Sequence, residues 1–149
     1  MAERQTLLDR MEIEALQWEF TDAVMMNDHD RLAGLFVPDG SVRMPDAGVE
    51  AIGREQIHRL SAARQQRFSV FVQTTHPGAI EVTGATARGR AYLSELIMGL
   101  DGTSASNRAI YHDRYRRTAQ GWRFVERVYE IRYLDTTPLP GGPVGGGAS

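Results

Sequence analysis

The residues of this chain best placed to do chemistry are His76 and Glu95, which lie in two neighbouring strand-like runs. Glu95 interrupts the apolar run Tyr92–Met98, and period-two alternation puts it on the face that carries Leu93 and Ile97. A carboxylate on an apolar face is costly unless another group satisfies it. The sequence therefore predicts a partner for Glu95.

A hairpin brings the two runs together. Thr83-Gly84-Ala85 is typical of a turn, and an antiparallel hairpin centred there pairs residues whose numbers sum to roughly 169 to 171. This register places His76 opposite residues 93 to 95. A histidine beside a carboxylate in a half-buried setting is what a general acid–base site requires, with Glu95 holding the imidazole in one tautomer.

Both residues also have structural interpretations. His76 could be a capped core histidine before Pro77. Glu95 could form an ion pair with an arginine such as Arg108 on the neighbouring strand. The sequence leaves these alternatives open.

Two further residues could orient a substrate oxygen. Tyr111 could donate its phenol to that oxygen, or it could be a core residue with a satisfied hydroxyl. The last predicted hairpin places Asp113 opposite Arg127, so a cross-strand salt bridge is the favoured interpretation of Asp113. Six apolar residues could line a ligand cavity, or fill it as core: Trp18, Phe20, Met25, Phe71, Tyr92 and Met98.

Composition limits the functional classes. The chain has 149 residues, a net charge of −2, no cysteine, and basic residues that are all arginine. A length of this kind predicts one domain, and the charge predicts neither a nucleic-acid nor a membrane partner. The absence of cysteine and lysine excludes thiolate and Schiff-base chemistry. No spacing of metal ligands or phosphate loop occurs, so we expect neither a metal nor a cofactor, and a cytoplasmic location by default.

The pattern of elements predicts an α+β fold. Helical periodicity is followed by strand-forming segments, which predicts N-terminal helices packed on one face of a curved antiparallel sheet. The predicted helices cover 11–26, 30–36 and 53–64, and the predicted strands cover 67–75, 79–83, 86–99, 107–118 and 122–134. We expect one domain over residues 1–136 and a disordered Gly/Pro tail over residues 137–149.

Three pieces of sequence resemble the SnoaL-like branch of the NTF2-like superfamily, which includes scytalone and bile-acid dehydratases. They are Gln73-Thr74-Thr75-His76-Pro77, Tyr92-Leu93-Ser94-Glu95-Leu96 and the pattern from Tyr111 to Phe124 with Gly121-Trp122-Arg123. The resemblance covers roughly residues 8 to 136 and implies a cone-shaped α+β barrel with a deep apolar pocket. It places His76 on the histidine of the dehydratases and Glu95 on an acid that supports this histidine.

Two positions depart from the dehydratase pattern. Phe20 and Met25 stand where the dehydratases have a tyrosine and an aspartate, and Met44 stands where steroid isomerases of the superfamily have a base. These differences argue against a simple transfer of either activity. They leave the pocket more apolar.

The sequence therefore predicts a cofactor-independent enzyme that moves a proton on a hydrophobic polyketide- or steroid-like substrate, giving dehydration, isomerisation or cyclisation. One alternative is a cyclase that acts mainly by folding its substrate. Another is a binding or assembly module without catalysis. We also expect a homo-oligomer, either dimer or trimer, because the outer sheet face carries apolar residues such as Val128 and Ile131.

Overall fold

The computed structural model describes residues 1–145 and has three helices in front of a long sheet. The helices are α1 (Ala2–Met25), α2 (His29–Gly34) and α3 (Arg54–Arg67), with a short 3₁₀ turn at Pro45–Ala47. The strands are β1 (Phe36–Met44), β2 (Val49–Ile52), β3 (Phe68–Thr83), β4 (Thr86–Gly99), β5 (Ser104–Thr118) and β6 (Gly121–Asp135).

Helix α1 begins nine residues earlier than its apolar periodicity predicts. Residues 2–10 are mainly polar helix formers, and Glu3 lies favourably in the first turn. Asp9 ties this polar segment to the sheet, because it accepts hydrogen bonds from Arg117 Nη2 (2.7 Å) and Trp122 Nε1 (3.1 Å). Contacts with the sheet therefore stabilise an N-terminal extension of α1 that apolar periodicity alone does not predict.

Helix α2 is shorter than predicted. Asp28 caps it by accepting a hydrogen bond from the Arg31 amide at 3.2 Å, as its position before the helix suggests. The helix ends at Gly34, and Phe36 already begins β1.

The six strands form one open sheet in the order β2-β1-β6-β5-β4-β3. Strand β1 runs parallel to β6, and the other neighbouring pairs are antiparallel. The predicted strands 67–75 and 79–83 are one continuous strand, β3, because Pro77 and Gly78 are accommodated by a register irregularity between Pro77 and Ile80.

The core lies between the helices and the inner face of the sheet. Phe20 from α1 packs edge-on against Phe36 and Phe124, with ring centroids 6.1 and 5.9 Å away. All three side chains are buried. Burying rings of this size supplies about 1.5–3 kcal/mol each, so this aromatic cluster holds α1 on the sheet.

The predicted tail over 137–149 is only partly described. Residues 137–145 form no helix or strand. Residues 146–149 lie outside the described part of the chain.

Candidate active site

A buried polar cluster surrounds Glu95 on the inner face of the sheet. Glu95 is 4% exposed, and its two carboxylate oxygens have different partners. Gln73 Nε2 donates to Oε2 at 3.1 Å, and the Tyr129 hydroxyl donates to Oε1. Strands β3, β4 and β6 therefore each contribute one member of the cluster.

Two more residues extend the cluster on either side. Thr21 Oγ1 from α1 donates to Gln73 Oε1 at 2.9 Å. On β5, Asn107 lies directly opposite Glu95 and its Nδ2 donates to the Tyr129 oxygen at 3.5 Å. The other atom of that amide, Asn107 Oδ1, is buried and has no hydrogen-bond partner among residues 1–145. Buried polar groups are nearly always satisfied, so an acceptor left open beside a carboxylate marks this place as a candidate ligand site.

Burial sets the electrostatics of the cluster. It raises the pKa of Glu95, because the charged carboxylate loses hydration there, while hydrogen bonds from Tyr129 and Gln73 and the positive charge of Arg64 partly oppose this rise. The pKa of Tyr129 is raised by burial and by the negative charge of Glu95. Burial also raises the pKa of Tyr111. Both phenols consequently remain protonated hydrogen-bond donors at neutral pH.

Half-buried side chains lie beside the cluster. The Met25 sulfur accepts a hydrogen bond from the backbone N–H of Gln73 at 3.3 Å. The Arg64 guanidinium lies over the Phe71 ring at 5.1 Å, and burial lowers the pKa of Arg64. Methionine and arginine have long, adaptable side chains.

The predicted His76–Glu95 pair does not exist. His76 is exposed and pairs across the ladder with Tyr92, whereas Gln73 pairs with Glu95. Residues 73 and 76 are an odd number of positions apart, so their side chains point to opposite faces of the sheet. The irregularity between Pro77 and Ile80 shifts the pairing of β3 with β4 by one residue. Such a slip exchanges which β3 side chains share a face with Glu95.

The other three histidines also lie away from the cluster. His29 contacts Ser61 at 2.7 Å, His58 contacts Asp30 at 2.9 Å, and His112 contacts Glu130 on the outer sheet face at 2.7 Å. No imidazole is hydrogen-bonded to Glu95.

Asp113 forms the predicted ion pair with Arg127, with Oδ1 2.8 Å from Nε and Oδ2 3.1 Å from Nη2. Tyr115 also donates to Asp113 Oδ2 at 2.7 Å. The Arg127 guanidinium lies 3.8 Å from the Tyr111 ring centre and 4.4 Å from that of Phe20. Asp113 thus belongs to a buried structural network. Of the two residues predicted to orient a substrate oxygen, Tyr111 borders the Glu95 cluster, since its ring packs against that of Tyr129.

The predicted lining residues divide into three groups. Phe20 is core, Met25 is half-buried in contact with Gln73, and Phe71 is half-buried two positions before Gln73 on the same strand face. Trp18 and Tyr92 are 53% and 40% exposed, so their assignment to a cavity is wrong. Met98 is also wrongly assigned, because it lies on the opposite sheet face from Glu95, three positions further along β4.

The sequence interpretation missed Gln73, Asn107, Tyr129 and Arg64. The local sequence offered no signal for Gln73: in the register set by the turn, where Thr83 pairs with Thr86, Glu95 would face Thr74, and the slip between Pro77 and Ile80 brings Gln73 there instead. For Asn107, a polar residue at the start of an apolar strand was the available signal. Arg64 lies on a helix rich in arginine, and nothing in its local sequence separates it from its neighbours.

The helices of residues 1–145 include none with the length and apolar character that crossing a membrane requires.

Comparison with known proteins gives a consistent family assignment. The family model described as a SnoaL-like domain matches residues 5–128. No curated protein matches the sequence.

Solved structures resemble this chain over most of its length. An NTF2-like protein with a cystatin-like fold from Novosphingobium aromaticivorans has 26% identity and a TM-score of 0.76, covering 88% of this chain and 86% of its own. A candidate scytalone dehydratase from N. aromaticivorans DSM 12444 has 19% identity and a TM-score of 0.80, covering 97% and 98%. The hexachlorocyclohexane dehydrochlorinase LinA-type3 from Novosphingobium barchaimii LL02 has 22% identity and a TM-score of 0.82, covering 93% and 95%. These similarities confirm the predicted NTF2-like cone fold, here with an unclosed sheet.

Proposed function

Because the chain belongs to the SnoaL-like domain family, we propose that it is a cofactor-independent lyase or isomerase acting on an apolar, hydroxylated small molecule. Glu95 is the proposed proton-transfer group. The observation that carries this proposal is a carboxyl group, 4% exposed, with a raised pKa and a fixed orientation on the inner sheet face. A carboxylate of raised pKa is a stronger base, which suits proton abstraction from carbon.

The proposed reaction uses groups that surround Glu95. The ionised carboxylate takes a proton from the carbon next to a substrate carbonyl, and the electron pair moves onto the carbonyl oxygen. The Tyr111 phenol, protonated because burial raises its pKa, donates a hydrogen bond to that oxygen. Glu95 then returns the proton, either to another carbon, which is isomerisation, or to a departing β-hydroxyl, which leaves as water.

The open acceptor atom of Asn107 favours a substrate that carries a hydroxyl group. Tyr129 has a single hydroxyl proton and donates it to Glu95, so its oxygen can only accept a hydrogen bond from Asn107. The amide nitrogen of Asn107 therefore faces Tyr129, and Oδ1 remains an open acceptor. A substrate hydroxyl is the simplest group that would satisfy it.

The test measures proton abstraction without knowledge of the natural substrate. The full chain is incubated in D₂O with paired cyclic ketones, with and without a β-hydroxyl, and deuterium uptake and loss of water are followed by mass spectrometry. We expect enzyme-dependent exchange that is faster for the hydroxylated member. Glu95→Gln preserves the shape of the side chain but removes the base, so exchange should fall by about a hundredfold or more.

A matched control is Glu81→Gln, which alters an exposed carboxylate paired with Arg88 on the sheet surface. Its exchange rate should equal that of the wild type. Equal exchange by Glu95→Gln and wild type would remove Glu95 from the mechanism.

A ligand-binding module without catalysis is the second candidate. The observations in its favour are that no imidazole contacts Glu95 and that Asp113 is occupied by Arg127. This candidate predicts binding of the same ketones, unchanged in Glu95→Gln, without deuterium uptake. The alternative of a substrate-folding cyclase has less support, since Met98 lies on the opposite sheet face from Glu95.

A further inference from the structure

A hollow of about 570 Å³ opens at a different part of the molecule, where the end of α2, the start of β1, the start of α3 and the β5–β6 turn meet. Four arginines line this arginine hollow: Arg54, Arg116, Arg117 and Arg123. It shares no lining residue with the polar cluster around Glu95. The chain as a whole has a net charge of −2, so this concentration of positive charge is local.

Most of this charge has no carboxylate partner. Arg117 Nη2 lies 2.7 Å from Asp9 Oδ2. Within residues 1–145, no carboxylate oxygen lies within 4.0 Å of a side-chain nitrogen of Arg54, Arg116 or Arg123. These three arginines therefore form no ion pair within the described residues, and the Glu12 carboxylate near Gly121 is the negative charge found close to Arg123.

In the β5–β6 hairpin, the charges that face each other across the two strands change from opposite to like toward the turn. Arg114 pairs with Glu126, so opposite charges face each other there. Two positions further along β5, Arg116 lies directly opposite Arg123. Like charges in directly opposed positions destabilise a sheet. A ligand of negative charge would turn this repulsion into a stabilising contact.

Three of the four guanidinium groups, those of Arg54, Arg117 and Arg123, are held in place by contacts that leave donors free. Arg54 Nε donates to the Phe36 carbonyl oxygen at 2.8 Å, and Arg123 Nη1 donates to the Trp122 carbonyl oxygen at 2.8 Å. The Arg117 guanidinium lies over the Trp122 ring at 5.0 Å. Each guanidinium has five N–H donors, so most remain available to a ligand. Anchoring of this kind reduces the entropy that binding would cost.

We propose that the arginine hollow binds a small ligand with clustered anionic oxygens, of the diphosphate or polycarboxylate type. Guanidinium forks match both kinds of oxygen pair and form charge-assisted, bidentate hydrogen bonds with them. Thr118 and Gln120 add uncharged polar groups to the rim of the hollow. Binding at this site is separate from proton transfer at Glu95, and neither depends on the other.

The experiment titrates the full chain with sodium pyrophosphate and, separately, with citrate at constant ionic strength. Isothermal calorimetry gives stoichiometry, and thermal unfolding gives the shift in Tm. We expect saturable binding of one equivalent with a rise in Tm, weakening as sodium chloride is added. Tighter binding of pyrophosphate assigns a phosphorylated ligand, and tighter binding of citrate assigns a polycarboxylate.

Variants locate the binding. Arg116→Gln and Arg123→Gln should each weaken the better anion about tenfold, the effect of losing one charge-assisted contact. Each should also raise the Tm of the ligand-free protein, because the repulsion across the hairpin is removed. Arg90→Gln, an exposed β4 arginine outside the hollow, is the matched control and should bind as the wild type does.

Two outcomes would overturn the proposal. One is the lack of saturable binding of either anion up to about 10 mM, the range of very weak affinity. The other is an equal loss of binding in Arg90→Gln, which would mean a general charge effect. Neither outcome bears on deuterium exchange at Glu95, so this proposal and the proposed function fail separately.

Discussion

At the scale of single residues, their hydrogen-bond and charge partners give Glu95 and Asp113 opposite roles. Both are acidic residues on the inner face of the sheet, and both are almost fully buried. Asp113 has a full positive charge beside it, whereas the nearest partners of Glu95 are the neutral groups of Gln73 and Tyr129. A buried carboxylate without a paired cation keeps a raised pKa and remains able to exchange a proton.

The raised pKa of Glu95 predicts a pH dependence of stability with a definite sign. The ordinary pKa of glutamate is 4.5, and that of Glu95 is higher in the folded chain. Between these two values the folded state binds more protons, so stability falls as pH rises through that window and stays low above it. A tenfold difference in acid dissociation constant corresponds to about 1.4 kcal/mol.

Glu95→Gln removes this titration. We therefore expect the variant to unfold at higher denaturant concentration than the wild type at pH 7 and to differ less at pH 4, as measured by urea denaturation followed by circular dichroism. If the stability of the wild type relative to Glu95→Gln did not fall between pH 4 and pH 7, the raised pKa would be contradicted. The proton-transfer activity should change in the opposite sense, increasing with pH as Glu95 ionises.

At the scale of elements, the irregularity in β3 decides which residues meet. Pro77 and Gly78 interrupt the regular ladder, and the pairing with β4 changes by one residue there. Helical and strand periodicities predicted α3, β4, β5 and β6 closely, because each depends on local sequence. The consequence of the irregularity could not be predicted, since it depends on how two strands accommodate each other.

Gly78 is required at this irregularity for steric reasons. A Cβ atom there would lie 2.3 Å from the Arg90 carbonyl oxygen, closer than real Cβ contacts allow. We expect Gly78→Ala to cost about 1–3 kcal/mol of unfolding free energy, the usual range for overpacking. Chemical denaturation of the wild type and of Gly78→Ala measures this difference in unfolding free energy.

Gly34→Ala provides the matched control for that substitution. No atom lies within 4 Å of a Cβ at Gly34, which is the last residue of α2. Alanine there should be neutral or stabilise by about 0.4–1 kcal/mol through reduced entropy of the unfolded chain. If both variants lost stability equally, the close approach of β3 to β4 would not be the cause.

At the scale of the whole molecule, the helices cover only the inner face of the sheet. The outer face exposes Val72, Tyr92 and Leu96, which are 38%, 40% and 42% accessible. Val72 pairs directly with Leu96, whereas Tyr92 lies four positions before Leu96 on the same face of β4, with Ser94 between them. We propose that this face associates with a second copy of the chain, since exposed apolar residues grouped on one sheet face favour association.

A substitution on this face should change the state of association. Leu96→Arg places a charge in the exposed apolar surface, so sedimentation velocity at micromolar concentration should shift toward monomer. Leu100→Arg, in the exposed turn between β4 and β5, is the control and should sediment as the wild type does. A wild type that is already monomeric would contradict the association.

The sequence by itself determined the α+β class, the helical and strand segments and the family, because local periodicity and turn residues depend on neighbouring positions. It also identified Glu95 as a carboxylate on a buried face and paired Asp113 with Arg127. Only the tertiary structure decided the partners of Glu95. Residues far apart in sequence supply them, and one register change in β3 turns His76 outward and Gln73 inward.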